Sequence, residues 1–368
     1  MRRPPRLPVR PDIAQAQPYG APHPDVPVRL NVNENPYPPP PEVVESVVRR
    51  VRQAAERGNR YPDRDFAELR SALADYLVRE AGVPELTSEM IWAANGSNEV
   101  ITHIFQAFGG PGRTAVSFDP SYSMYPEYAR NTSTAWQPGT READFRLDPA
   151  HAIAHIDRVK PTVVLLDSPN NPTGALTPLA DIEAIAQQLE GQAVLVVDEA
   201  YAEFRSLGAP SALTLVAEHP HVAVARTMSK AFAFAGVRLG YLAAQPELIG
   251  YLRTVRLPYH LSALTQAAAL AALDHAGLML GQVADLRERR ERLSSALVAM
   301  GFQVADSQAN FVLFGRLASR RDVFEKLLAQ GVIVREVGPP GWLRVSVGTE
   351  VETLAFLRAL AQIREELE

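Results

Sequence analysis

Lys230 lies in a stretch of small and apolar residues, RTMSKAFAFAGVRLGY (226–241), with Arg238 eight positions further on. Burial strips water from an ammonium group and lowers its pKa, so a lysine is a costly packing choice there and a candidate nucleophile or proton carrier. Other short polar stretches also follow apolar runs. IWAA leads into NGSNEV (95–100), TVVLLD into SPNNPTG (168–174), AVLVV into DEAY (198–201), and HVAVAR into TMSK (227–230). Taken singly, each has an ordinary reading. Asn, Pro and Gly are turn residues, Asp198 caps a helix, and Lys230 is a solvated lysine beside a core strand. Taken together and in this order, they read as a ligand site, because open α/β sheets bind ligands at the carboxyl ends of their strands. GSN at the start of a helix offers backbone N–H groups and the helix dipole to a phosphate. A dinucleotide G-x-G-x-x-G is missing from NGSNEV, and GGPG precedes a strand, not a helix.

The elements that must position these residues follow from periodicity. Apolar runs without polar alternation suggest strands covered on both faces, MIWAA, TAVSF, TVVLLD, AVLVVD and HVAVAR, separated in part by helical stretches such as LADIEAIAQQLE. Thirteen of the 30 prolines fall at or before Pro41, so that segment should be extended or turning rather than helical. A helix is expected from Glu42 to Gly58 with Val43, Val47 and Val51 on one face, and a second in DFAELRSALADYLVREAG. After about Tyr251 come two long helical stretches, NFVLF, another helix, the strand pair VIVRE and WLRVSVG, and a closing helix, which suggests a smaller α+β unit.

Composition narrows the function classes. The 368 residues are 46% apolar and 21% charged, with formal net charge -5, an ordinary globular balance without a nucleic-acid footprint. The absence of cysteine removes disulfides, thiolate metal sites and cysteine nucleophiles. None of the eight histidines falls in the polar stretches that follow the apolar runs, so no metal is expected. No apolar run approaches the roughly 18 residues of a membrane span, and the basic, proline-rich N-terminus lacks the apolar core of a signal peptide. A cytoplasmic location is expected.

SPNNPTG, DEAY and SKAFAFAGVRLGY, in that order, resemble the fold-type I pyridoxal-phosphate aminotransferases. LNVNENP (30–36), the YPD of NRYPD (59–63) and ANFVLF resemble more narrowly the histidinol-phosphate aminotransferase family, and the likeness runs on to LRVSVGT (343–349), so it covers nearly the whole chain. It implies an α/β fold with a mostly parallel sheet in the large domain. Residues 1–41 would form an arm and part of the small domain, 42–255 the large pyridoxal-phosphate domain, and 256–368 the small α+β domain.

The resemblance also implies roles. Lys230 would form the Schiff base with pyridoxal 5'-phosphate and shuttle the substrate proton. Arg238, Thr227, Ser229, Gly96, Ser97 and Asn98 would hold the cofactor phosphate; Asn98 stands where the family commonly has Asp. Asp198 would keep the pyridine nitrogen protonated. Asn171 and Tyr201 would hydrogen-bond the phenolic oxygen. Tyr122 would stack on the ring, although a tyrosine there suits a core equally. Tyr61 would reach the phosphate of a neighbouring subunit, making a homodimer with shared sites. Arg344 would bind the substrate carboxylate, and Tyr19, Asn33 and Arg335 would complete the substrate site, Arg335 and Tyr19 at the phosphate; Arg335 also reads as a solvated strand residue. The implied activity moves the amino group of L-histidinol phosphate to 2-oxoglutarate in histidine synthesis. An aromatic amino acid aminotransferase, a threonine-phosphate decarboxylase and a non-enzymatic regulator are the rivals.

Overall fold

The five apolar runs become strands of one seven-stranded sheet in the computed structural model, which describes residues 7–367. The strands are β1 (Ile91–Ala94), β2 (Thr114–Val116), β3 (Ala135–Trp136), β4 (Val163–Asp167), β5 (Val194–Asp198), β6 (Val222–Thr227) and β7 (Gly240–Ala244). Their order is β1-β7-β6-β5-β4-β2-β3. Only β7 runs against its neighbours. The carboxyl ends of β1, β4, β5 and β6 therefore share one edge. Every residue of β1 and of β4 through β7 is buried, as expected for a sheet covered on both faces.

Two strands were not expected from the sequence. β3 has two residues and is an edge. β7 reads GYLAA, poor in β-branched residues, and owes its conformation to ladders on both sides. Its Gly240 passes so close to the next helix that a Cβ would lie 2.1 Å from the Ser97 nitrogen.

The helices that matter for the site are α1 (Pro41–Ala55), α2 (Ala67–Ala81), α3 (Ser97–Phe108) and α4 (Tyr125–Asn131). α1 ends at Ala55, three residues before the expected Gly58, and the chain continues in turns. Val43 is fully buried, and Val47 and Val51 are partly so, on the face that packs against the helix Ala263–Asp274. That helix also packs on α2, although it lies beyond the expected boundary at 255/256. The following helix, Ala276–Ala299, packs on a three-stranded antiparallel sheet made of Gln303–Val304, Phe311–Gly315 and Leu343–Ser346.

The expected pairing of VIVRE with WLRVSVG reduces to one bridge, Arg335 with Arg344. The reason is competition for the edge: Val332–Ile333 pairs in parallel with Val28–Arg29 from the N-terminal segment. Among its described residues that segment otherwise has little regular structure, apart from one helical turn at Pro11–Ala14 begun by a proline with φ suited to it. No single helix among the described residues is long and apolar enough to cross a membrane.

Candidate active site

The shared carboxyl edge of the sheet opens into a cavity of about 840 Å³. It brings together every side chain expected at the site except that of Tyr61; Gly96, which has none, is buried behind Arg238. Tyr61 is 80% exposed and stacks on Tyr259, with ring centroids 4.5 Å apart.

One wall is built for an anion. Gly96 has φ +87, and a Cβ there would lie 2.5 Å from Nη2 of Arg238. Glycine thus lets the guanidinium lie against the start of α3. Among the described residues, the N–H groups of Ser97 and Asn98 have no acceptor and Arg238 has no carboxylate partner. Arg238 Nη1 donates to the Ala235 carbonyl at 2.9 Å and leans on Ser229 Oγ at 3.4 Å. Thr227 Oγ1 accepts the Ser229 N–H at 3.1 Å, which fixes this turn. A cation, a helix N-terminus and hydroxyls converging without an anion fit a phosphate. Asn98 turns its side-chain oxygen elsewhere, accepting from Tyr128 at 2.8 Å and weakly from Tyr122 at 3.4 Å.

The centre of the pocket holds the reactive groups. Lys230 Nζ donates one hydrogen bond, to the Val32 carbonyl at 3.0 Å. Burial first, then Arg344 and Arg238, lower its pKa to about 8, against the pull of Glu34. Asp198 accepts from the Tyr125 hydroxyl at 3.1 Å and from the Ala200 N–H at 3.2 Å. Burial and then the neighbouring Asp167 push its pKa up to about 7. The Tyr201 oxygen accepts from Asn33 Nδ2 at 3.0 Å and from Asn171 Nδ2 at 3.4 Å. With its lone pairs so used, its own proton is left for an acceptor in the pocket. Burial raises the Tyr201 pKa to about 12.

The third wall is cationic again. Arg344 is buried, donates to Asn171 Oδ1 at 2.5 Å and to the Asn31 carbonyl at 2.9 Å, and lies 5.0 Å from the Phe311 ring centroid. Its Nε has no partner, and no carboxylate pairs with it among the described residues. Burial is the main reason its pKa falls to about 10, with Arg335 adding to the shift. A buried guanidinium lacking a counter-charge is a site for an anionic ligand. Arg335 is held beside it by two backbone bonds, 2.9 and 3.0 Å. Tyr19 closes this side through a 2.9 Å bond between its hydroxyl and Ser123 Oγ.

Residues that sequence reasoning missed are Asp167, Tyr125 and the buried pair Glu199–Arg226, at 2.7 Å, which ties β5 to β6. Asp167 had a signal, since it closes an apolar strand just as Asp198 does. The pair had none, because its members are 27 residues apart. The chain has three lysines, Lys160, Lys230 and Lys326, of which Lys230 lines the cavity. No group of three or more metal-ligating side chains occurs among the described residues.

The chain is similar to known proteins over nearly its whole length. The chain is 57% identical to a histidinol-phosphate aminotransferase of Thermobifida fusca, over 96% of its own length and 95% of the relative's. It is 52% identical to that of Bifidobacterium longum, over 98% and 97% of the two lengths. Among solved structures, the histidinol-phosphate aminotransferase of Sinorhizobium meliloti in complex with pyridoxal-5'-phosphate superposes with a TM-score of 0.83 at 25% identity, covering 93% of this chain and 92% of the other. Aspartate aminotransferase from Thermus thermophilus with maleate gives 0.78 at 28% identity, covering 91% of each chain. The family model for aminotransferase class I and II matches residues 25–360, and the chain belongs to that family.

Proposed function

We propose that this aminotransferase moves the amino group of L-histidinol phosphate to 2-oxoglutarate, as a step of histidine synthesis, with pyridoxal 5'-phosphate as its cofactor. One observation carries the reading: a half-buried amine and a buried carboxylate open into a single pocket flanked by Arg238 on one side and by Arg344 with Arg335 on the other, none of them paired with an acid among the described residues. Arg238 with the start of α3 suits the cofactor phosphate. Arg344 with Arg335 suits the anionic end of the substrate. The names of the relatives support the same assignment.

When bound, the cofactor supplies a conjugated electron sink for negative charge at the amine-bearing carbon. The chain's own groups do the rest. Lys230, with a pKa near 8, is able to give up and regain a proton near neutral pH, which suits proton transfer at that carbon. Asp198 holds a proton at the ring nitrogen. Tyr201 donates to the phenolic oxygen, beside Asn171, and Tyr122 covers the ring face. Asn33 fixes Tyr201 and is itself bound to Ser346 Oγ. Ser97, Asn98, Thr227, Ser229 and Arg238 hold the phosphate.

On this reading residues 42–255 hold the cofactor. Residues 256–368, with the arm 1–41, close the substrate side, and the pairing of Val28–Arg29 with Val332–Ile333 supports that grouping. The enzyme acts as a cytoplasmic homodimer, in which exposed Tyr61 reaches the partner's phosphate site. Turnover of histidinol phosphate, phenylalanine and threonine phosphate tests the assignment. Histidinol phosphate should give the highest kcat/KM, and a clear preference for phenylalanine would replace it with an aromatic specificity.

A further inference from the structure

Beside Asp198 stands a second buried carboxylate that the mechanism leaves unused. Asp167 closes β4 as Asp198 closes β5, and the two are register partners on adjacent parallel strands. Paired residues put their side chains on the same face of a sheet, and both line the cavity. Asp167 is 3% exposed. Its Oδ2 accepts the Asn171 N–H at 2.9 Å, and its Oδ1 accepts the Asn170 amide at 2.8 Å. Behind it, Arg141 reaches Oδ1 at 3.4 Å through a side chain that is 1% exposed. The remaining bonds of Arg141, to carbonyls of Phe118, Phe145 and Asp167, are long at 3.3 to 3.4 Å. Asp167 is its only ion-pair partner among the described residues.

Holding the Asn170–Asn171 turn needs only a neutral acceptor. A buried ion pair carries a desolvation penalty that a neutral pair avoids, so the charge itself calls for a use. We propose that Asp167 is a positioning residue for the cofactor: its carboxylate, kept ionised by Arg141, sets the field in which Asp198 holds the proton of the ring nitrogen. This rests on the cofactor reading given above.

Few groups compete for that role. Tyr125 faces Asp198 from α4 and donates to it. Glu199 is the first residue after β5 but is paired with Arg226 and Arg205. Tyr201 accepts from Asn33 and Asn171, and Arg344 is bound to Asn171. After burial itself, Asp167 is the largest influence raising the proton affinity of Asp198. Burial raises the Asp167 pKa, and Arg141, followed by the hydrogen bonds from Asn171 and Asn170, is the largest influence opposing that rise. Two carboxylates side by side raise the affinity of the site for positive charge, and the protonated ring nitrogen would carry that charge.

The test compares equilibrium binding of pyridoxal phosphate with that of its deaza analogue, in which the ring nitrogen is replaced by C–H. Cofactor-free native protein, Asp167→Asn, Arg141→Met and Arg141→Lys are measured. Native protein should prefer the parent ligand. Asp167→Asn should lower affinity for the parent by about tenfold while moving the analogue by less than about twofold. Arg141→Met should give the same selective loss, because Asp167 then takes up a proton, and Arg141→Lys should restore the preference. If Asp167→Asn does not fold, the two Arg141 variants decide. Equal weakening of both ligands, or an unchanged ratio, overturns the proposal. Native protein that fails to distinguish the ligands would instead remove Asp198 from the ring nitrogen, and with it the reading beneath.

Discussion

Around Lys230 the pocket wall consists of short consecutive stretches on strand ends; around Arg344 it consists of single residues from opposite ends of the chain. In the first region, Asp198 and Thr227 end strands whose residues are all buried, and Lys230 follows three positions later. In the second, Arg344 binds the Asn31 carbonyl and Ser346 binds Asn33, each across 313 residues, while Tyr19 is 46% exposed on the arm. The contrast separates two tasks. Groups that act on the cofactor must be held to fractions of an ångström, and a sheet edge does that. On the proposed reading, the groups that bind the substrate sit where the arm and the last strands meet, which would let specificity change there without disturbing the chemistry.

The largest effect should come from the sheet edge. Asp198→Asn should lower kcat for amino transfer by about a hundred- to a thousandfold, because an amide cannot keep the ring nitrogen protonated. The same change should stabilise the cofactor-free protein. The folded-state pKa of Asp198, about 7, lies above its ordinary 3.8, so the folded state binds the extra proton between these values. Stability from this group is fully present below about pH 4 and is lost as pH rises through 7. The variant should therefore unfold at a higher temperature than native at pH 8, with a gain on the order of a few kcal/mol that vanishes near pH 4. Thermal melts across that range check both sign and window; a gap that grows on acidification would contradict the assignment.

On the substrate side the effects should be smaller and selective. Arg335→Ala should lower kcat/KM for histidinol phosphate by about ten- to a hundredfold, the worth of a charge-assisted bond to a desolvated anion. Phenylalanine, read by Arg344, should lose less, and equal losses measured at fixed ionic strength would show that Arg335 does not read phosphate. Tyr19→Phe removes one hydroxyl, bonded to Ser123. It should raise KM for histidinol phosphate by about two- to tenfold with kcat nearly unchanged. A fall in kcat with unaltered KM would place Tyr19 with the chemistry instead.

The same division explains what was legible in the sequence. The loops at the ends of β1, β4, β5 and β6 were readable because strand, turn and helix start are contiguous, so Lys230, Asp198, Asn171 and Gly96 were found together. Asp167 was passed over because a charged strand end reads like a turn until its neighbour across the ladder is known. Arg141 and the Glu199–Arg226 pair depend on contacts between strands, which no local pattern records. β7 was missed because GYLAA has weak strand propensity, and α1 stopped short of Gly58 because the chain turns before that glycine.

The central claim is that Lys230 is the amine that bonds the cofactor aldehyde. With three lysines in the chain, it can be tested outright. Native protein loaded with pyridoxal phosphate is reduced with borohydride, digested and mapped by mass spectrometry. One pyridoxyl-bearing peptide, containing Lys230, is expected. A stoichiometric label on Lys160 or Lys326, with Lys230 unmodified, would contradict it.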